Sequence, residues 1–131
     1  MIRAVLADGL LDPATGEVTR EAAVIIENGR VTHAGPRAST KVPRDAQTTD
    51  AAGLTILPGL IDCHVHLTSL GEGLDFAREL TTPPTFELMR AVRAARRTLD
   101  AGFTAVRDAA GSPAGIRMAI DAGYFAGRAC S

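Results

Sequence analysis

The sequence predicts an α/β protein that begins with a small all-β part. In the first third of the chain, short apolar segments alternate with turn residues, a pattern typical of strands. From residue 54 onward, apolar runs of strand length alternate with segments of helical periodicity. This β-α-β-α order predicts parallel strands joined by right-handed crossovers. The 131 residues, 46% of them hydrophobic, and a net charge of −1 fit a soluble globular protein.

Three short strands are predicted in the first part of the chain, over residues 2–7, 23–27 and 30–34. Residues 12–16 read Asp-Pro-Ala-Thr-Gly, a composition that tight turns require. Asn28-Gly29 separates the second and third strands and tolerates the two positive φ values of a type I′ turn, so we expect a hairpin. Residues 36–50 are polar and lack periodicity, which predicts a surface loop.

The apolar run at residues 54–67 predicts a strand buried on both faces of a parallel sheet. A helix is expected next, capped by Thr82 or Thr85 and ended near residue 101 by Gly102. Its predicted buried face carries Phe86, Met89, Val92, Ala95 and Leu99, and its predicted solvated face carries Arg90, Arg93 and Arg97.

A second buried strand is predicted over residues 102–109. Ser112 is the predicted N-cap of a second helix, since Pro113 would then occupy the first helical position. This helix is expected to end at Gly123.

Charge and cysteine content exclude several classes of partner and compartment. The 14 Lys and Arg residues balance 15 Asp and Glu residues, so we expect neither a nucleic-acid nor an anionic-membrane partner. Cys63 and Cys130 are too few for a disulfide framework, which favours a reducing compartment. Because a secretory signal and a membrane span are not evident in the sequence, a cytoplasmic location is expected.

A candidate metal site lies in the first predicted buried strand. Asp62, His64 and His66 alternate along it, so period-two geometry points them to one face and Cys63 and Val65 to the other. Two imidazoles so spaced can ligate one divalent metal, and neutral histidine suits Zn²⁺, Fe²⁺ or Mn²⁺. The alternative is that both histidines are ordinary polar residues.

Residues 57–67, Leu-Pro-Gly-Leu-Ile-Asp-Cys-His-Val-His-Leu, closely resemble the P-G-[LF]-I-D-x-H-x-H signature of the metal-dependent amidohydrolase superfamily. Other segments agree with that family: Asn28-Gly29-Arg30-Val31, Asp50-Ala51-Ala52-Gly53, and Gly102-Phe103-Thr104-Ala105-Val106-Arg107-Asp108. The last of these, with Ala122-Gly123, is most similar to the imidazolonepropionase-like and prolidase-like branch. The resemblance covers residues 2–127.

The resemblance implies part of a β-sandwich over residues 1–56 and an incomplete (β/α)₈ TIM barrel, its first two βα units, over residues 57–131. His64 and His66 would hold one metal of a centre with one or two ions, with zinc expected and iron or manganese as alternatives. The metal would lower the pKa of a bound water and polarise the scissile carbonyl, so that hydroxide attacks the carbonyl carbon and the C–N bond is hydrolysed. The implied substrates are small molecules: a cyclic amide, an N-acyl amino acid or an Xaa-Pro-type dipeptide.

Other residues near the signature have weaker assignments. In this family Asp62 is expected to orient a histidine. Arg107 and Asp108 lie at the functional end of the second strand and could touch substrate, although a local ion pair or a loop cap is the alternative. Cys63 is expected in the core. His33, in the predicted hairpin, is expected to be exposed.

The family completes its metal site with ligands from later strands: a lysine or glutamate, two further histidines and an aspartate that moves the proton. None has a position in this sequence, so no catalytic residue is assigned and the polypeptide alone is expected to be inactive. Two parallel strands leave unpaired edges, which predicts self-association or complementation by a missing C-terminal part. The competing interpretation is a non-catalytic binding or assembly module.

Overall fold

The computed structural model describes residues 1–69, 76–109 and 112–126. The chain divides into two compact units, Met1–Pro58 and a second that begins at Gly59. Cys130, which entered the expectation of a reducing compartment, lies outside the described residues. Within the described ranges, helices that are both long and apolar enough to cross a membrane are not found.

The first unit is a four-stranded mixed sheet. Its strands are β1 (Ile2–Leu11), β2 (Val18–Glu27), β3 (Arg30–Pro36) and β4 (Gln47–Ile56), in the spatial order β3-β2-β1-β4. A 3₁₀ turn over Arg37–Ser39 follows β3. β2 pairs antiparallel with both β1 and β3, whereas β4 pairs parallel with β1. The strands of Met1–Pro58 therefore form one mixed sheet.

Both predicted turns of the first unit are confirmed. The Asp12 carboxylate accepts a hydrogen bond from the Ala14 N–H at 2.8 Å, which closes the turn between β1 and β2. Asn28 and Gly29 have φ values of 50° and 78°, as a type I′ turn requires, and they join β2 to β3. The predicted strands are present and extend further than expected.

The prediction of a loop over residues 36–50 is wrong in its last part, because β4 begins at Gln47. Turn-forming residues such as Asp50 and Gly53 obscured this strand. The structure accommodates them through a register shift between Ala7 and Gly9 of β1, and the Asp8 carboxylate accepts the Gly53 N–H at 3.0 Å.

The second unit contains the two predicted strands and the two predicted helices, with one further short helix. β5 (Leu60–Val65) and β6 (Phe103–Asp108) form a parallel pair. They are connected through α1 (Phe76–Thr81) and α2 (Pro84–Asp100), and α3 (Ala114–Asp121) follows β6. α1 was not predicted. The order is β-α-α-β-α, which includes the expected parallel crossover.

The single strand predicted over residues 54–67 is wrong. Its first residues end β4, and β5 begins only at Leu60, after the interruption at Pro58-Gly59. Burial on both faces is also wrong, since Leu54 and Ile61 are 63% and 66% exposed. Gly59 approaches β6 so closely that a Cβ atom there would overlap the Thr104 side chain, which explains a glycine at this position.

The core of the second unit lies between the helices and one face of the β5–β6 pair. It contains Leu67, Ala91, Ala94, Val106, Ile116 and Ile120, with Val65, Leu88 and Phe125 at its margin. Of the five residues on the face predicted for α2, Ala95 alone is buried, whereas Phe86 and Met89 are 54% and 65% exposed. Alanines form the contact because their small side chains let the helix backbone approach the strands.

Both N-cap predictions, for α2 and for α3, are wrong. The N-caps of α2 and α3 are Pro83 and Pro113, and no side chain caps either helix. Thr82, Thr85 and Ser112 are therefore not caps, and the Ser112 hydroxyl instead donates a hydrogen bond to Asp108. Gly102 ends α2 as predicted, with φ 92° and its N–H bonded to the Leu99 carbonyl at 2.9 Å.

Candidate metal centre

Two histidines lie side by side at the carboxyl end of β5. His64 is on the strand, His66 follows its last residue, and both side chains are exposed. Their ring centroids are 5.1 Å apart and the ring planes meet at 79°. Alternation along the extended backbone brings the two rings to one side.

This spacing fits two ligands of one ion. An imidazole nitrogen about 2.0–2.1 Å from zinc puts its ring centroid roughly 3.2 Å from the metal, so two rings on a tetrahedral ion have centroids roughly 5 Å apart. Within residues 1–69, 76–109 and 112–126, groups of three or more His, Cys, Asp or Glu side chains placed to hold a metal are not found. Among the described residues, the candidate site therefore consists of the two imidazole rings.

The strand pairing beside these histidines is irregular. Asp62 is opposite Val106 and Val65 is opposite Asp108, so three steps along β5 match two steps along β6. The extra residue is a β-bulge at residues 63–64. The alternation predicted from the sequence is therefore interrupted between Asp62 and His64.

Two side chains form hydrogen bonds with the peptide group that links Cys63 to His64. Its N–H donates to Asp62 Oδ1 at 3.0 Å, and its carbonyl oxygen accepts from Arg107 Nε at 2.8 Å. Asp62 thus contacts the backbone of His64. Cys63 was predicted to be a core residue, and this is wrong because its side chain is exposed.

Asp108 joins the carboxyl ends of both strands. Its Oδ2 atom accepts hydrogen bonds from the Leu67 N–H at 3.2 Å and from the Ser112 hydroxyl. The Ala109 N–H donates to the Val65 carbonyl at 2.9 Å in the same region. These contacts match the alternative assignment of Asp108 as a residue that caps the loop.

Two further features adjoin the histidine pair. Arg90 was predicted on a solvated face, but it is half-buried and its Nη2 donates to the Ser69 carbonyl at 3.1 Å, which ties α2 to the turn after β5. A depression of about 220 Å³ is lined by Val65, His66, Leu67, Ala94, Arg97 and Thr98. The sequence carried no signal for the contact between Arg90 and Ser69, because the carbonyl of any residue can accept such a bond.

His33 is exposed on β3, as expected, and pairs in register with Ile25. It belongs to the first unit, whereas His64 and His66 belong to the second. His33 is therefore a natural reference residue for experiments on the other two histidines.

Residues 55–130 match the model of the amidohydrolase family. An ochratoxinase from Aspergillus niger is 33% identical over 122 residues, which cover 91% of this chain and 25% of that protein. An imidazolonepropionase from Rhizobium rhizogenes is 35% identical over 80 residues, which cover 60% of this chain and 20% of that protein. The chain belongs to the amidohydrolase family, a family of hydrolases.

Solved structures agree with this assignment. A prolidase complexed with N-methylphosphonate-L-proline superposes with a TM-score of 0.82 at 30% identity, covering 98% of this chain and 30% of that chain. Aspergillus niger ochratoxinase gives a TM-score of 0.79 at 28% identity, with 98% and 30% coverage. The chain spans 20% to 25% of the length of the two curated relatives named above.

Proposed function

We propose that this chain supplies the first two metal ligands of a hydrolase that cleaves C–N bonds in small amides. The observation that carries the proposal is the adjacent pair of imidazoles, His64 and His66, at the carboxyl end of a parallel strand. In barrels built from such βα units, catalytic groups gather at this end of the strands. Family membership gives a second line of support.

Both histidines would hold the same divalent ion, each through one neutral ring nitrogen. Zinc is the proposed metal, iron or manganese are alternatives, and the complete centre would contain one or two ions. When bound, such an ion acidifies a water molecule and polarises a carbonyl group. The residues of this chain contribute binding and orientation: His64 and His66 bind, and the Asp62 carboxylate holds the backbone of His64.

The proposed substrate class is a cyclic amide, an N-acyl amino acid or an Xaa-Pro-type dipeptide. It is supported by similarity to a prolidase bound to a proline-containing phosphonate and to an imidazolonepropionase. The side chains of Arg107 and Asp108 each form a hydrogen bond with the backbone. We therefore propose that they stabilise the carboxyl ends of the strands and do not bind substrate.

Two imidazoles bind a metal only weakly, and hydrolysis also needs a group that accepts a proton. We therefore propose that the 131-residue polypeptide is inactive alone and that further ligands and the proton acceptor are supplied by polypeptide outside these residues. Addition of that polypeptide would restore activity by complementation. A binding or assembly module without catalysis is the competing function, and complementation distinguishes the two.

The test is a Co²⁺ titration of the purified chain followed by NMR of the histidine ring protons. We expect paramagnetic shifts of the His64 and His66 resonances at one equivalent of bound ion, and loss of this binding in His64→Ala and His66→Ala. His33→Ala is the matched control and should bind as the wild type does. Equal binding by all four proteins would contradict the proposed site.

A further inference from the structure

We propose that Arg107 and Asp62 are positioning residues that together clamp the peptide group between Cys63 and His64 and so aim the His64 ring. The inference rests on the proposed metal-binding role of His64 and His66. It assigns to Arg107 a task at the metal centre that involves no contact with metal or substrate.

The clamp is needed because of the bulge in β5. Three steps from Asp62 to Val65 match only two steps from Val106 to Asp108, so the ladder does not pair every backbone group of the intervening residues. Unpaired backbone groups at a bulge are free to rotate unless other donors and acceptors hold them. His64, one of the two proposed ligands, lies at this bulge.

Two oppositely charged side chains take the place of the ladder at one peptide group. The Asp62 carboxylate accepts from its N–H at 3.0 Å, and the Arg107 guanidinium donates to its carbonyl oxygen at 2.8 Å. The negative group thus lies at the positive end of the peptide dipole and the positive group at the negative end. Hydrogen bonds that involve an ionised partner are stronger than neutral ones, so both ends of this peptide are held in one orientation.

The orientation of this peptide sets the direction of the His64 side chain. The bond from the peptide nitrogen to the His64 Cα is the axis of the φ angle, so rotation of the peptide plane about it changes where the Cβ points relative to the chain. The two rings share an ion only while their centroids remain roughly 5 Å apart. A peptide held from both sides preserves the observed 5.1 Å separation before a metal binds.

Arg107 comes from β6, 44 residues after Cys63 in sequence. Its contact therefore also couples the geometry of the histidine pair to correct pairing of the two strands. Asp62, in contrast, is a local partner, because it lies two residues before His64, whose N–H donates the hydrogen bond to it. The clamp needs both residues, because each holds a different end of the peptide.

The experiment measures two quantities in the 131-residue chain: hydrogen exchange of the His64 amide without metal, and Co²⁺ affinity by NMR titration. Arg107→Ala and Arg107→Met both remove the guanidinium donor, and Met keeps most of the aliphatic stem. Asp62→Ala removes the carboxylate, whereas Asp62→Asn keeps an acceptor oxygen. Arg96→Ala is the matched control, because Arg96 is an exposed arginine whose Nε donates to the Asp100 side chain and not to a backbone carbonyl of β5.

We expect the His64 amide to exchange faster in Asp62→Ala than in the wild type. In Asp62→Asn, which keeps an acceptor oxygen, it should remain protected. Both Arg107 variants should bind Co²⁺ about tenfold more weakly, in line with the effect of residues that orient metal ligands. Arg96→Ala should match the wild type in both measurements. Far-UV circular dichroism checks that each variant is folded. If Arg107→Ala does not fold, the Co²⁺ affinity is taken from Arg107→Met.

Two results would overturn the proposal in distinguishable ways. Unchanged Co²⁺ affinity in folded Arg107→Met, with binding lost in His64→Ala, would refute the clamp and leave the metal site standing. Unchanged binding in His64→Ala would refute the metal site, and the positioning role with it.

Discussion

The Asp108 carboxylate accepts a hydrogen bond from the backbone N–H of Leu67, a residue 41 positions earlier in the chain. Leu67 itself belongs to the core of the second unit, with 6% of its surface exposed. One carboxylate oxygen thereby connects the end of β6 to the segment that directly follows His66. The same oxygen also accepts from Ser112 at the start of the next helical segment.

Replacement of Asp108 by alanine should destabilise the second unit. The Leu67 N–H would lose its acceptor in a half-buried position, which costs about 1–2 kcal/mol of the free energy of unfolding. Asp108→Asn keeps an acceptor oxygen and should lose less. Urea denaturation measures the effect, with Asp100→Ala as control because Asp100 forms an exposed ion pair with Arg96. Equal losses in Asp108→Ala and Asp100→Ala would refute this role.

The two faces of α3 should respond very differently to truncation. Ile116 is 5% exposed and belongs to the core, whereas Met118, two residues later, is 68% exposed. We expect Ile116→Ala to lower the free energy of unfolding by about 2–4 kcal/mol through lost burial and a cavity. Met118→Ala should change it by less than about 0.5 kcal/mol. Thermal denaturation of the pair checks the assignment, which fails if Met118→Ala is as damaging.

A methyl group at Gly59 should be poorly tolerated. The added Cβ would overlap the Thr104 side chain on the neighbouring strand, so either the start of β5 or Thr104 must shift. Overpacking of this kind costs about 1–3 kcal/mol. Gly115→Ala is the control, since a Cβ at Gly115 meets open space and alanine favours a helix. A fall in melting temperature is expected for Gly59→Ala only, and comparable melting curves would contradict the close approach.

The purified polypeptide should show no metal-dependent turnover of N-acyl amino acids or Xaa-Pro dipeptides. The physical reason is that the described residues provide two imidazoles and no third ligand group beside them. The assay adds Zn²⁺, Mn²⁺ or Fe²⁺ in turn and follows release of the free amine. His64→Ala serves to recognise a contaminating enzyme, because turnover shared by both proteins cannot come from this site. Turnover present in the wild type and absent in the variant would contradict the prediction.

Local signals in the sequence predicted local structure. Asn28-Gly29 predicted its own turn because the φ values that it tolerates are a property of those two residues. Gly102 ended α2 for a similar reason. The proximity of the His64 and His66 rings also follows from a short-range rule, since residues two apart on extended backbone point the same way.

Contacts between distant residues were not predictable from local patterns. β4 was missed because its strand character depends on pairing with β1, about 45 residues earlier, and its own residues favour turns. The bulge at Cys63–His64 depends in the same way on β6, so Arg107 could be placed near the functional end of its strand but not on a particular carbonyl. The buried face of α2 was misassigned because residue size suggested Phe86, whereas close approach to the strands selected Ala91.

The parallel pairing of β4 with β1 also has a kinetic consequence. β1, β2 and β3 pair through short connections, so their antiparallel ladder closes small loops and can form early. β4 can join only after a much longer loop has closed, which is the slower step. On a ribosome, the edge of β1 therefore stays open until the chain has been made as far as Ile56, and during that interval it can pair wrongly with another strand.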